Sequence, residues 1–183
     1  MSRPGAEELS WPLAGLLAEP PGTSRELAVD GVMLDLGPDL VQGSPLRARV
    51  HVARTNRGVV IRARLESSLA ETCSRCLRPT SVPLSLDLLE EVLPSVDLAS
   101  GLALDAGAEP DAPRLSAHHE LELEPLVREA IWMAEPIAPL CRPDCPGLCP
   151  ICGAELATGP HDHGEEPPDE RLEVLRRFEA DEG

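Results

Sequence analysis

Leu46, Ala48, Val50 and Val52 alternate with Arg47, Arg49 and His51, and beyond Thr55-Asn56-Arg57-Gly58 the residues Val59, Ile61, Ala63 and Leu65 alternate with Val60, Arg62, Arg64 and Glu66. A period of two on both sides of a polar break predicts an antiparallel hairpin with one apolar face. Parity then constrains the register. Val50 and Val52 must share a face with Ile61 and Ala63, which places Arg47, Arg49 and His51 beside Arg62 and Arg64 on the other. The second strand is expected to run on toward Ala70 and turn at Cys73–Cys76. A further strand then follows, with Val82, Leu84, Leu86 and Leu88 on alternate positions.

Elsewhere the pattern is less regular. Glu26 to Leu36 alternates around Leu27, Val29, Val32 and Leu34, with a bulge or turn expected at Gly31. Ser10 is a candidate cap for a short apolar helix through Leu13, Leu16 and Leu17. Leu123, Leu126, Val127, Ala130, Ile131 and Ala134 recur at helical spacing, with Pro125 tolerated in the first turn, so a helix is predicted over 124–134, with Trp132 and Met133 as packing groups. The acidic, proline-punctuated stretch 94–113 reads as a loose loop. A last helix is predicted from Pro167-Pro168-Asp169, with Leu172, Leu175 and Phe178 on one face. The expected fold class is α+β: an antiparallel β-sheet or partly closed barrel, a packing helix and a Cys-rich C-terminal zinc module. The expected division is a flexible segment over 1–24, a β domain over 25–140 with an acidic loop over 94–114, and a Cys/His module over 141–183.

Composition narrows the options. Two Trp, one Phe and no Tyr leave an aliphatic core, and twenty Pro with fourteen Gly imply much loop. A net charge of −16 argues against a general nucleic-acid binder. Every basic residue is Arg, and eight of the sixteen (47, 49, 54, 57, 62, 64, 75 and 78) fall between Pro45 and Thr80 against only Glu66 and Glu71. On the hairpin this puts like charges opposite one another, an unfavourable arrangement that a polyanionic partner or an acidic neighbour would relieve. The first residues, MSRPGAEELSWPLAGLLAEP, lack a basic start, a long apolar run and a cleavage-type ending, and no run of about 18 apolar residues exists. A cytoplasmic chain without membrane contact is expected, with its thiols reduced.

The strongest chemical signal lies in six cysteines arranged as three close pairs: Cys73-x2-Cys76, Cys141-x3-Cys145 and Cys149-x2-Cys152, followed by His161-x-His163. Each pair can present two thiolates from one turn to a soft cation, and eight ligands make two tetrahedral sites. Structural zinc contributes on the order of 10 kcal/mol to folding, enough to order a loop-rich chain. Two partitions compete. Four cysteines within 141–152 could close one local site and leave Cys73 and Cys76 free. Alternatively Cys73 and Cys76 join Cys141 and Cys145, and Cys149, Cys152, His161 and His163 form a second site. The split partition uses every ligand and is preferred. Two zinc ions are expected, with iron conceivable on ligand softness alone.

The run CSRCLRP, followed some sixty residues later by PLCRPDCPGLCPICGAEL and then DERLEVLRRF, resembles the YceD family of large ribosomal RNA subunit accumulation proteins. The resemblance covers roughly Leu46 to Phe178. Cys73, Arg75 and Cys76 match the family's C-x-R-C; Cys145, Gly147, Leu148, Cys149, Pro150, Cys152 and Gly153 match its C-x-G-L-C-P-x-C-G. Where many relatives carry a downstream C-x-C, this chain has His161-x-His163. Some shorter relatives lack the CPxCG portion yet keep the other two pairs, which favours the split partition. The resemblance implies a cytoplasmic, non-enzymatic factor that supports accumulation of large-subunit ribosomal RNA and 50S assembly. The implied partner is that RNA or a pre-50S particle, and the acidic remainder could hold a basic ribosomal protein. Arg47, Arg49, Arg62, Arg64, Arg75 and Arg78 are then the candidate RNA contacts.

Other constellations are weaker. His118-His119-Glu120 reads as a solvated loop, and Glu90-Glu91 and Glu165-Glu166 as surface charge. No phosphate-cradling glycine motif or nucleophile elbow is present. The rival expectation is a thiol redox or zinc-responsive regulator in which Cys73 and Cys76 cycle between metal-bound and disulfide forms.

Overall fold

The computed structural model describes residues 9–105, 107, 109–159, 162, 163 and 171. Its centre is an open four-stranded antiparallel sheet in the order β2-β3-β4-β5, made of Ser24–Val32, Gln42–Arg54, Val59–Thr72 and Pro79–Val92. The sheet does not close, so the partly closed barrel is not what these strands form: β2 and β5 are its two edges. The hairpin register is the one that parity requires. Val50 faces Ala63, Val52 faces Ile61, Arg49 faces Arg64 and His51 faces Arg62. A bulge interrupts β2 between Asp30 and Val32, where Gly31 takes a φ of +91° that a side chain would resist.

One face of the sheet carries Val29, Val32, Leu46, Ala48, Val50, Val52, Ile61, Ala63, Leu65, Leu84, Leu88 and Val92, all buried. Over it lie β1 (Ser10–Pro12), α1 (Ala14–Leu17), β6 (Glu120–Glu122) and α2 (Glu124–Met133), whose Leu16, Leu121, Val127 and Ile131 fill the same core together with Leu13 between β1 and α1. β1 pairs with β6 as a separate two-stranded sheet. Residues 9–24, read from sequence as part of a flexible lead-in, supply core side chains instead: Leu9, Leu13 and Leu16 are almost completely buried. Ser10 sits in β1 and does not cap α1, whose first turn starts after Leu13 without a side-chain cap.

The predicted helix over 124–134 appears as α2, with Pro125 in its first turn. Trp132 donates its Nε1–H to the Leu36 carbonyl at 3.1 Å, whereas Met133 is 82% exposed and packs against little. The acidic stretch after β5 is folded back on itself. Leu93 N–H donates to Pro113 O and Leu115 N–H to Leu93 O, while Val96 and Ala103 form an isolated bridge. Buried Gln42 holds the excursion between β2 and β3. Its Oε1 accepts from Leu34 N–H at 2.6 Å and its Nε2 donates to the carbonyls of Val32 and Ser44. The predicted C-terminal helix lies outside the described residues apart from Arg171.

Candidate metal centre

Strand β4 pairs with β5 down to Thr72 opposite Pro79, so Cys73 to Arg78 form the turn of that hairpin. Within the turn, Leu77 N–H donates to Cys73 O at 2.9 Å and Cys73 N–H to Arg78 O at 2.9 Å. The same bonds recur around the last cysteine pair: Gly153 N–H to Cys149 O at 2.9 Å, and Cys149 N–H to Ala154 O at 2.8 Å. The residue after the second cysteine is left-handed in both, Leu77 at φ +59° and Gly153 at +72°. Each C-x2-C therefore folds as the same knuckle, with both thiols on one side.

The third pair arrives from α2. After Met133 the chain passes Pro136 and Pro139, and Ser74 N–H donates to Pro139 O at 2.8 Å, which lays Cys141 beside the first knuckle. Cys73, Cys76, Cys141 and Cys145 bring their sulfurs within 4.8 Å of one another. Cys73 Sγ lies 3.8 Å from Cys145 Sγ, and Cys76 Sγ lies 3.7 Å from Cys141 Sγ. Four sulfurs about 2.3 Å from a central zinc stand about 3.8 Å apart at the tetrahedral angle, which is the separation of these two pairs. Cys73, Cys76 and Cys145 are buried and Cys141 is half-buried. Of the two partitions open on spacing, these four residues are those of the split one.

The electrostatics of the cluster are those of a cation cage. Backbone N–H groups, first that of Cys76 and then that of Cys141, draw the Cys73 thiol down to about 6. Cys76 is lowered chiefly by the Arg78 guanidinium. Burial pushes Cys141 up to about 12 and also raises Cys145. Some of the sulfurs are thus prepared as thiolates while their neighbours resist a second and third negative charge, and a divalent ion among them removes that conflict.

A second group joins Cys149, Cys152 and His163, again within 4.8 Å. Cys149 Sγ is 3.2 Å from His163 Nε2. Cys149 is buried, but Cys152 and His163 are exposed. His161, the other half of the His pair, lies outside the described residues. The two groups are linked by Pro146-Gly147-Leu148 and by Arg75. Arg75 donates from Nη1 to Cys145 O at 2.9 Å, and its own carbonyl accepts from Leu148 N–H at 3.2 Å. Gly147 is left-handed at φ +83°, and a Cβ there would stand 3.1 Å from Arg75 O, so glycine is required on two counts.

These contacts give two of the candidate arginines a place at the cysteine cluster. Arg75 donates from one nitrogen to the Cys145 loop, and Arg78 faces the Cys76 sulfur with Glu155 3.9 Å away, so both exposed guanidiniums have contacts at the cysteine cluster. Arg47 donates to Asp30 at 3.0 Å and stands opposite Glu66. Arg49, Arg62 and Arg64 remain on the exposed face of the sheet. His118-His119-Glu120 joins no metal-ligating group among the described residues. Glu120 belongs to β6, and His119 is left-handed with a buried Nδ1 that has no hydrogen-bond partner among them.

The family model of the large ribosomal RNA subunit accumulation protein YceD matches residues 61–179. That span holds all eight candidate ligands and excludes β1, α1, β2 and β3. An uncharacterized protein of Mycobacterium tuberculosis strain H37Rv is 32% identical over 123 residues, 67% of this chain and 57% of the relative. An uncharacterized protein of Mycobacterium leprae is 29% identical over 122 residues, 66% of this chain and 54% of the relative. The match thus spans little more than half the length of these curated relatives. No solved structure matches the chain significantly. No helix among the described residues is long and apolar enough to cross a membrane.

Proposed function

The chain belongs to the YceD family of large ribosomal RNA subunit accumulation proteins, and from that premise we propose that it is a cytoplasmic, non-enzymatic factor in large-subunit RNA accumulation and 50S assembly, folded around two structural zinc ions. The observation that carries the structural part is the Cys73/Cys76/Cys141/Cys145 cluster, four sulfurs within 4.8 Å of one another with two pairs at the separation a zinc tetrahedron requires. Four protein thiolates complete the coordination of such an ion, leaving no position for an activated water, and this favours architecture over hydrolysis. When bound, zinc supplies a cross-link between the β4–β5 turn and the segment after α2. The chain's own residues do the rest: Arg78 balances the Cys76 thiolate, and Arg75 fixes the loop that delivers Cys145. The Cys149/Cys152/His163 group is assigned the second ion, with His161 as its fourth ligand.

Depletion of the protein in its host, followed by quantifying large- against small-subunit RNA and profiling ribosomal particles, tests this reading. The ratio should fall and 50S precursors accumulate, with rescue by the wild-type chain and not by Cys145→Ser. An unchanged ratio would refute it.

A further inference from the structure

Five of the eight arginines between Pro45 and Thr80 are occupied by the fold. Arg47 pairs with Asp30, and Arg54 donates to the carbonyls of Leu17, Thr55 and Gly58. Arg57 pairs with Glu109, Arg75 holds Cys145 O, and Arg78 faces Cys76 and Glu155. The side chains of Arg49, Arg62 and Arg64 make no hydrogen bond or ion pair among the described residues. They are also neighbours. Arg49 and Arg64 are directly opposite across β3 and β4, and Arg62 follows two residues along β4 opposite His51. Three guanidiniums side by side repel one another, and the one acid directly opposite any of them, Asp87 across from Arg64, forms no ion pair with it and offsets only part of that repulsion.

The surroundings define what could. On the same face stand Glu26 and Asp30 on the β2 edge, Glu66 beside Arg47, and Asp87 and Glu91 on the β5 edge. The positive area is therefore narrow, two strands wide and framed by carboxylates. We propose that Arg49, Arg62 and Arg64 hold the phosphodiester backbone of single-stranded RNA, an inference resting on the reading that this protein acts on ribosomal RNA. Residues two apart on a strand stand about 7 Å apart and adjacent strands about 4.8 Å apart, so successive phosphates of one strand can be met in turn. Guanidinium forks suit phosphate oxygens. A duplex is wider than this two-strand patch and would bring further phosphates toward the flanking carboxylates. Trp11, Trp132 and Phe178 all lie off these four strands and His51 is the one aromatic ring on this face, so phosphate contact outweighs base stacking and sequence preference should be weak.

The test is fluorescence anisotropy of a labelled 12-nucleotide oligouridine with the zinc-loaded full chain, titrated with salt. Three phosphate contacts predict a slope of log K against log salt of about −2. R49Q/R62Q/R64Q should weaken binding by at least about tenfold at low salt, and D87N should tighten it by about twofold. R57Q, which removes a charge away from this trio, should leave the affinity unchanged. Unaltered zinc content and melting temperature would establish that the variants are folded. Equal binding by the triple variant, equal binding of a duplex of the same length, or equally effective competition by polyglutamate would each overturn the proposal, the last pointing to an acidic protein partner. If the triple variant loses RNA binding yet fully restores the large-subunit RNA ratio, the face is irrelevant in the cell; if depletion leaves that ratio unchanged, the functional reading itself fails.

Discussion

The two cysteine–histidine groups start from the same local device and end in different situations. Both knuckles close with the same pair of backbone bonds and a left-handed residue after the second cysteine. The first meets cysteines about seventy positions away in sequence and three of its four sulfurs are buried. The second is completed from its own neighbourhood by His163, with Cys152 and His163 open to solvent. A knuckle sets the direction of two thiols and nothing more; what it meets decides whether the ion fastens distant parts of the chain or a local loop. The closure of a long loop constrains the unfolded chain more than that of a short one, so the first group should dominate stability.

The largest expected contrast comes from ligand loss at each group. Cys145→Ser should abolish the cooperative thermal transition of the purified protein, whereas Cys152→Ser should shift it by only a few degrees. Equal effects would erase the distinction. Chelation separates the groups next. Zinc release to a colorimetric chelator at neutral pH should be biphasic, with the exposed Cys149/Cys152/His163 group emptying at least about tenfold faster, and a single phase would count against two unlike sites. Smaller again is Gly147→Ala, which forces a side chain into a left-handed position against Arg75. A loss of about 1–3 kcal/mol in urea unfolding is expected, with no loss pointing to a slack link between the groups. The smallest effect tests the likeness of the knuckles. Leu77 is exposed and left-handed where the second knuckle has Gly153, so Leu77→Gly should be neutral or stabilising by up to about 1 kcal/mol.

The same contrast between local and distant partners explains what could be read from the chain. The β3–β4 register followed from alternation, because a slip by one residue would have put Val50 and Ile61 on opposite faces and exposed one strand's apolar set. The metal ligands were visible as close pairs, but spacing could not decide between Cys145 closing a local tetrad and Cys145 reaching Cys73. That choice depends on where α2 sets down the chain. β1 and β6, three residues each, are too short to have a period, and their pairing hid the burial of Leu9 and Leu121. The extent of the basic face was hidden for a related reason. Counting charge along 45–80 registers eight arginines against two acids, whereas the sheet sets Asp30 against Arg47, Glu26 against His51 and Asp87 against Arg64. Strand order, which the sequence does not display, turned a broad basic surface into a narrow one.

The central claim is that one zinc ion joins residues 73 and 76 to residues 141 and 145. Native mass spectrometry of the wild-type chain beside Cys73→Ala/Cys76→Ala and Cys149→Ala/Cys152→Ala tests it most directly. The account predicts two zinc ions for the wild type and one for each double variant. A Cys73→Ala/Cys76→Ala chain that keeps the wild-type zinc count would contradict it and return all the metal to the C-terminal cysteines.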